Sequence, residues 1–379
     1  MSTDFNLMYL SFKPLLQCTW GVVSDFFCRK VGSRVCFIPR LGIKNLNKLY
    51  NKTSDRGSRN LSPSHSSKRY FSSESLNNKL HPWFITGFTD GEGCFSISVI
   101  KDNKSKSGWR VKVVFEVFLH IRDIDLLWAL KKSFLNVGNI YSQNTKCNYF
   151  VYSVKDLQVI IEHFNNYPLI TQKQTDFFLF KQALDLVSRK EHLTLSGLQK
   201  IVSIKSAMAS GGISDELKAA FKSNILPVQS PSVLDYKIKD LNWLAGFIAA
   251  EGCFYVKVSK SKTHKLGVVV QLKLKITQHT RDIELMQSLV KFFGCGLIEK
   301  RLNSNVCDFI VYSHKDIWEK IIPFFEKYPI QGVKYEDFMD FCKVALLIKN
   351  KAHLTQQGIE EILNIKSRMN TKRQLVENK

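Results

Sequence analysis

One pattern occurs twice in this chain and constrains its fold more than any other feature. An apolar stretch of small residues ends in one acidic residue and a glycine, then runs into an alternating stretch. The first copy is Trp83-Phe-Ile-Thr-Gly-Phe-Thr-Asp-Gly-Glu92-Gly-Cys-Phe95, and the second is Trp243-Leu-Ala-Gly-Phe-Ile-Ala-Ala-Glu251-Gly-Cys-Phe254. Each reads as a helix that delivers one carboxylate and then becomes a strand. Gly87 and Gly91 are four apart, as are Gly246 and Ala250, so each pair lies on one helix face. With no bulk on that face, two helix backbones can approach closely. Packed there, the helices bring Glu92 and Glu251 side by side at their ends. Carboxylates that close repel unless cations lie between them, and hard oxygen donors suit Mg²⁺. A single copy would read as a buried helix with a solvated terminal glutamate. The duplication turns the reading toward a shared site.

The repeat extends well beyond these helices. Glu92 and Glu251 are 159 apart, as are Arg122-Asp-Ile124 and Arg281-Asp-Ile283; Val151-Tyr-Ser153 and Val311-Tyr-Ser313 are 160 apart. Tyr167-Pro168, Lys173 and His192-Leu-Thr194 recur 161 residues later, at Tyr328-Pro329, Lys334 and His353-Leu-Thr355. A drift of two residues means loop insertions in a shared architecture. Each copy reads helix, strand, strand, helix, strand, strand, helix, helix, with a further helix closing each half. The expected class is α+β, with two pseudo-symmetric αββαββα domains at 81–209 and 235–372, a linker at 210–234 and a tail at 373–379. The helices beginning at Asp123 and Asp282 are expected to be capped by those aspartates. Lys315 to Glu326 is expected to be one helix.

These residues resemble the LAGLIDADG, or dodecapeptide, homing endonuclease family. Leu244-Ala-Gly-Phe-Ile-Ala-Ala-Glu-Gly252 follows the family signature nearly letter by letter, and Ile85-Thr-Gly-Phe-Thr-Asp-Gly-Glu-Gly93 is a diverged first copy. The likeness runs from about residue 80 to about 372 and is closest to single-chain enzymes of fungal mitochondrial introns. It implies a monomeric, metal-dependent, site-specific DNA endonuclease that makes staggered double-strand cuts across the minor groove in intron homing. It implies Glu92 and Glu251 as metal ligands, helped by the carbonyls of Gly91 and Ala250. It also implies that Lys173 and Lys334 face the metal site and that Gln278 orients solvent; the counterpart of Gln278 is Leu119. Asp90 fills a consensus acidic place that Ala249 leaves empty, and it is expected to be an exposed helix-end acid. His120 and His279 read as structural or phosphate-facing. An RNA maturase that binds a group I intron, or a non-catalytic DNA-binding regulator on the same scaffold, would also use a basic surface but would not need both glutamates.

Composition agrees with a polyanionic partner. Lysine and arginine number 55 against 33 acids, a net charge of +22. The nine cysteines are scattered without C-x-x-C pairs, which argues against a disulfide framework and a zinc ribbon and for a reducing compartment. No run of about 18 apolar residues exists, so no membrane span is expected. Residues 1–80 are acid-poor and basic, with a polar, turn-rich stretch from Asn51 to Ser75, and are expected to be disordered. They read either as a mitochondrial transit peptide or as an intron-frame extension of an organelle-encoded protein. Both readings place the protein in the mitochondrion.

The alternating stretches supply the second candidate surface. Phe95, Ile97 and Val99 alternate with Cys94, Ser96 and Ser98; Val111, Val113, Phe115 and Val117 alternate with Arg110, Lys112, Val114 and Glu116. In the second half Phe254, Val256 and Val258 alternate with Cys253, Tyr255, Lys257 and Ser259, and Leu272, Leu274 and Ile276 with Gln271, Lys273 and Lys275. Each half therefore makes a hairpin with one apolar and one largely polar face. A β-ribbon fits the major groove of duplex DNA, and about ten residues at about 3.3 Å each span about one helical turn. The polar faces, with the loops at 101–108 and 260–267, are expected to form a saddle that reads double-stranded DNA. The two faces differ, so the target should be asymmetric.

Overall fold

The computed structural model describes residues 79–105, 107–209, 212–221, 228–229 and 236–373. The expected extension and tail, apart from residues 79, 80 and 373, and part of the expected linker lie outside the described residues. The first half runs α1 (Pro82–Glu92), β1 (Gly93–Lys101), β2 (Trp109–His120), α2 (Ile124–Ser133), β3 (Asn139–Gln143), β4 (Lys146–Val151), α3 (Val154–Asn166), α4 (Lys173–Ser188) and α5 (Leu195–Ala207). A short helix, α6 (Asp215–Phe221), follows. The second half repeats the order: α7 (Leu241–Glu251), β5 (Gly252–Lys260), β6 (Val268–His279), α8 (Ile283–Phe293), β7 (Leu297–Lys300) and β8 (Val306–Val311). It ends with α9 (His314–Asp316), α10 (Ile322–Lys327), α11 (Lys334–Lys349) and α12 (Gln356–Ser367). Two four-stranded antiparallel sheets result, ordered β1-β2-β4-β3 and β5-β6-β8-β7. No described helix is long and apolar enough to cross a membrane.

Residues every second position along the strands, Phe95, Ile97, Val99, Val113, Phe115 and Val117 among them, are buried under the helices. The core of each half centres on one phenylalanine just past the acidic helix. Phe95 meets Phe164, Phe177 and Phe180 at ring separations of 5.2–5.6 Å, and Phe254 meets Phe325, Phe338 and Phe341 at 5.3–5.6 Å. These are repeat-equivalent residues, so the two halves share a core plan as well as a chain order. Burying a phenylalanine contributes roughly 1.5–3 kcal/mol. The His-Leu-Thr repeat has a local cause: Thr194 and Thr355 cap α5 and α12, accepting from the N–H groups of Gly197 and Gly358 at 3.1 Å.

Two expectations need correction here. The helix expected at Lys315 to Glu326 is interrupted by a π-helical stretch, Ile317–Ile321, just before Pro323. Proline has no N–H to donate into the preceding turn, so the regular ladder cannot run through it. Asp123 and Asp282 do not cap their own helices: neither side chain bonds there. Each reaches into the other half of the molecule.

Candidate active site

The two halves meet on α1 and α7, and their glycines set the distance. A Cβ on Gly87 would lie 1.9 Å from the carbonyl oxygen of Trp243, and one on Gly246 would lie 2.1 Å from that of Phe84. One turn further, a Cβ on Gly91 would lie 2.3 Å from the Ala250 Cβ and 3.3 Å from the Glu251 Oε1. Only glycine allows these backbones to touch. The Glu251 carboxylate therefore stands over the end of the helix that delivers Glu92. Both helices stop at the next residue, because Gly93 and Gly252 are extended and begin β1 and β5.

A lysine closes each helix end. Lys173 Nζ donates to the carbonyls of Thr89 and Gly91 at 3.0 Å and to that of Gly93 at 2.6 Å. Lys334 Nζ donates to the carbonyl of Ala250 at 2.8 Å. C-terminal helix carbonyls carry the negative end of the helix dipole, so an ammonium group is favoured there. Burial lowers the Lys173 ammonium below the ordinary lysine value, while Asp90, Cys94, Glu251 and Glu92 pull it back up. A desolvated lysine beside two carboxylates at a helix terminus makes this junction the candidate site.

Asp90 is not the exposed helix-end acid expected from the sequence. It is 2% exposed and accepts from the Thr171 hydroxyl at 2.6 Å, the Trp243 indole at 2.7 Å, and the N–H groups of Ile170 and Thr171 at 3.0 and 3.1 Å. Burial still raises its carboxyl above the usual range, and these donors with Lys173 work against that. Phe84 and Ala249 occupy the repeat-equivalent places of Trp243 and Asp90, so the indole–carboxylate bond belongs to one side of the interface only.

The donor set at this junction is two carboxylates and two backbone carbonyls, all hard oxygens. Among the described residues no group of three or more His, Cys, Asp or Glu residues could hold a metal, so any ion here would complete its shell with water and substrate oxygens. That suits Mg²⁺, which keeps several waters, better than zinc.

The family model for LAGLIDADG endonucleases matches residues 85–184 and 244–345, each match beginning in one of these two helices and running through the sheet that follows into α4 or α11. The chain belongs to the LAGLIDADG endonuclease family. The probable intron-encoded endonuclease 3 of Neurospora crassa is 40% identical over 298 residues, covering 78% of this chain and 55% of that protein. The probable intron-encoded endonuclease 2 of the same fungus is 38% identical over 302 residues, covering 76% and 65%. The chain thus spans 55–65% of the length of these curated relatives. The I-SmaMI LAGLIDADG homing endonuclease bound to cleaved DNA is similar with a TM-score of 0.76 and 43% identity, covering 78% of this chain and 99% of that one. I-SmaMI has also been crystallised on an uncleaved DNA target in the presence of calcium ions.

The strand faces of this LAGLIDADG chain fall in register. Across β1 and β2, Cys94 pairs with Glu116, Ser96 with Val114 and Ser98 with Lys112, while Arg110 pairs with Ile100. Across β5 and β6, Tyr255 pairs with Lys273, Lys257 with Gln271 and Ser259 with Val269. Ser98, Arg110, Lys112, Tyr255 and Lys257 are exposed, and Gln271, Lys273 and Lys275 are half-buried. Arg110 also meets Asp102 of the hairpin loop at 3.5 Å. Ser96 spends its hydroxyl on the Val114 carbonyl, and burial raises the Glu116 carboxyl.

Cys253 departs from the expected open face. It is 6% exposed, because the C-terminal turn crosses it: Asn370 lies 3.6 Å from its sulfur and donates to the Phe254 carbonyl. Lys275 is not a lone cation either, since Asp308 stands 4.0 Å away. Asp308 is held by Arg301 at 2.8 and 2.9 Å and by the Thr277 hydroxyl at 2.6 Å. Gln278 lies at the end of β6 with its Oε1 accepting from the next backbone N–H, of His279, at 2.8 Å. His120 and His279 each accept from the N–H two residues on, which fixes the turn after the long strand.

Sequence reasoning missed several residues. Phe118 extends the open face of β2 and is 53% exposed; continued alternation past Glu116 would have found it. Thr277 continues the alternation past Lys275 as Phe118 does in the first half, so the same extension would have found it; Arg301 and Asp308 carried no periodic signal, because Arg301 lies just past β7 and every residue of β8 is buried.

Proposed function

We propose that this protein is a site-specific double-strand DNA homing endonuclease, a metal-dependent phosphodiester hydrolase that uses Mg²⁺. The observation that carries the reading is the junction of α1 and α7. Two glycine-faced helices each end in a glutamate, and the Glu251 carboxylate lies against the turn that ends in Glu92. The relatives and solved neighbours carry endonuclease names, which puts this reading ahead of a splicing factor for group I intron RNA. Their intron-encoded origin, with the basic N-terminal stretch, supports action in the mitochondrion. The paired halves in one chain support a monomer on an asymmetric target.

In this reading Glu92 and Glu251 hold the ion, and the carbonyls of Gly91 and Ala250, which accept from Lys173 and Lys334 in this structure, would join them once those ammonium groups turn toward the phosphate. A bound divalent cation supplies an activated water and stabilises charge on the phosphate and the leaving oxygen. Lys173 and Lys334 set a positive charge beside each helix end, where the phosphate charge develops. Gln278, half-buried at the end of β6, would orient solvent with its amide nitrogen while its Oε1 accepts from the His279 N–H. β2 and β6 each hold 12 residues, a length of about 40 Å. Each sheet thus spans about one duplex turn of about 34 Å, and the active junction lies between them. Arg110, Lys112, Lys257, Lys273 and Lys275 suit phosphates or guanine, and Gln271 suits adenine.

The test is cleavage of a randomised duplex library by the full chain with Mg²⁺ or Ca²⁺, repeated with Glu92→Gln and Glu251→Gln. One long asymmetric site cut only by the wild type with Mg²⁺ is the expected result. Either variant cutting both strands at the wild-type rate would remove the metal-site assignment.

A further inference from the structure

We propose that Arg122-Asp123 and Arg281-Asp282 are positioning residues that act across the pseudo-twofold axis, each pair holding in place the lysine of the opposite half. The inference rests on the endonuclease reading above. Asp282 comes from the second half, yet its Oδ1 accepts at 2.7 Å from the N–H of Gln172, the residue before Lys173. Asp123 comes from the first half, and its Oδ1 accepts at 3.4 Å from the N–H of Val333, the residue before Lys334. Asp123 and Asp282 are equivalent in the repeat, and so are Gln172 and Val333. The exchange is reciprocal.

The physical reason lies in the helix starts. The first N–H groups of α4 and α11 have no partner within their own helices, and a carboxylate there also meets the positive end of the helix dipole. The Lys173 N–H finds the Thr171 hydroxyl of its own half at 3.2 Å, whereas the N–H groups of Gln172 and Val333, just before the helices, find their acceptors in the other half. Burial raises the Asp123 and Asp282 carboxyls to about 6, and the N–H groups of Val333 and Gln172 work against that rise. The arginines cross in the same sense. Burial raises the Asp176 carboxyl in the first turn of α4, and Arg281 works against that rise together with the Ala209 N–H. Burial lowers the Arg122 guanidinium, and Asp123 and Asp337, the latter in the first turn of α11, work against it. Each pair therefore bonds through its aspartate to the start of the opposite helix, while its arginine bears on an acid in that helix's first turn through charge alone.

The lysine follows directly on each held N–H. Lys173 ends on three carbonyls at the tip of α1, so a shift at Gln172 carries its ammonium group off them. A misplacement of about 1 Å in a catalytic group costs up to about a hundredfold in rate. The strand served by Lys173 should then depend on Asp282, and the strand served by Lys334 on Asp123.

The experiment uses the full chain with Mg²⁺ on its target duplex, labelled separately on each strand. Asp282→Ala should slow one strand ten- to a hundredfold, leave the other near the wild-type rate and accumulate a nicked duplex. Asp123→Ala should slow the opposite strand, and by less, since its bond is longer. Asp282→Asn keeps an acceptor oxygen for the Gln172 N–H and should recover most of the lost rate. Amide exchange gives a readout independent of cutting: it should rise over residues 170–176 in Asp282→Ala and over 331–337 in Asp123→Ala. Equal slowing of both strands by each variant, or faster exchange only in the variant's own half, would overturn the proposal. A wild-type chain that cuts no duplex would count against the endonuclease reading instead, and amide exchange would then decide the clasp by itself.

Discussion

Replacing Gly87 by alanine drives a methyl group into the backbone of the facing helix. The new Cβ would lie 1.9 Å from the Trp243 carbonyl oxygen and 2.9 Å from the Phe247 nitrogen. Close carbon–oxygen contacts settle at about 3.3–3.6 Å, so α1 and α7 must part by about 1.4 Å, the difference between 3.3 and 1.9. Overpacking costs about 1–3 kcal/mol, and two rigid backbones place this case at the upper end. Alanine's better helix propensity offsets about 1 kcal/mol of that. The net loss should be about 2 kcal/mol. Gly246→Ala, whose Cβ would lie 2.1 Å from the Phe84 carbonyl oxygen, should behave alike. A Cβ on Gly212 would meet nothing within 4 Å, so Gly212→Ala should stay within about 0.5 kcal/mol of wild type. Urea unfolding measures all three: the midpoints of Gly87→Ala and Gly246→Ala should fall, that of Gly212→Ala should stay near the wild type's, and the slopes should hold. A Gly87→Ala chain as stable as the wild type would refute the claim that these backbones touch.

Three other outcomes follow from the same geometry. Trp243→Phe takes one of four donors from the buried Asp90 carboxylate, and thermal unfolding should show a loss of about 1–3 kcal/mol; an unchanged melting temperature would mean that the indole bond carries no weight. Burial holds the His163 imidazole down at about 4 against an ordinary 6.5, so the unfolded chain gains a proton in that window that the native chain refuses. Its contribution is complete above pH 6.5 and is lost as pH falls toward 4, by about 3 kcal/mol at about 1.36 kcal/mol per pH unit; His163→Gln should flatten the stability curve there, and a curve as steep as the wild type's would contradict this. Lys273→Ala on the open face of β6 should reduce the salt dependence of DNA binding by about one counterion, and an unaltered slope would place that lysine away from phosphate.

Much of the fold could be read from the residues. The alternation at Phe95-Ile97-Val99 and Leu272-Leu274-Ile276 named the buried face of each sheet, since a strand against a core must repeat every two residues. The spacing of Gly87 and Gly91 against Gly246 and Ala250 named the helix face that meets its twin. The residues that meet at the helix junction were legible where they sit in the repeat: Glu92 with Glu251, and Lys173 with Lys334. Legibility ended where a residue's partner lies in another element. Cys253 alternates correctly with Phe254, yet it is covered by a turn more than a hundred residues later. Asp90 looked like a helix-end acid because nothing nearby announces the indole of Trp243, 153 positions on.

The sequence by itself determined that there are two halves, that each ends a helix in a carboxylate, and which side of each strand and helix is apolar. These properties depend on the dihedral period of a single element and on short-range spacing, both written in consecutive residues. The tertiary structure alone decided which half supplies the acceptor for each lysine-bearing helix. Asp123 and Asp282 stand where a cap would stand, and the local pattern is satisfied either way. Their carboxylates turn across the axis because the N–H groups of Gln172 and Val333, just before α4 and α11, lie there, and a buried donor must be met by whichever acceptor the fold brings close.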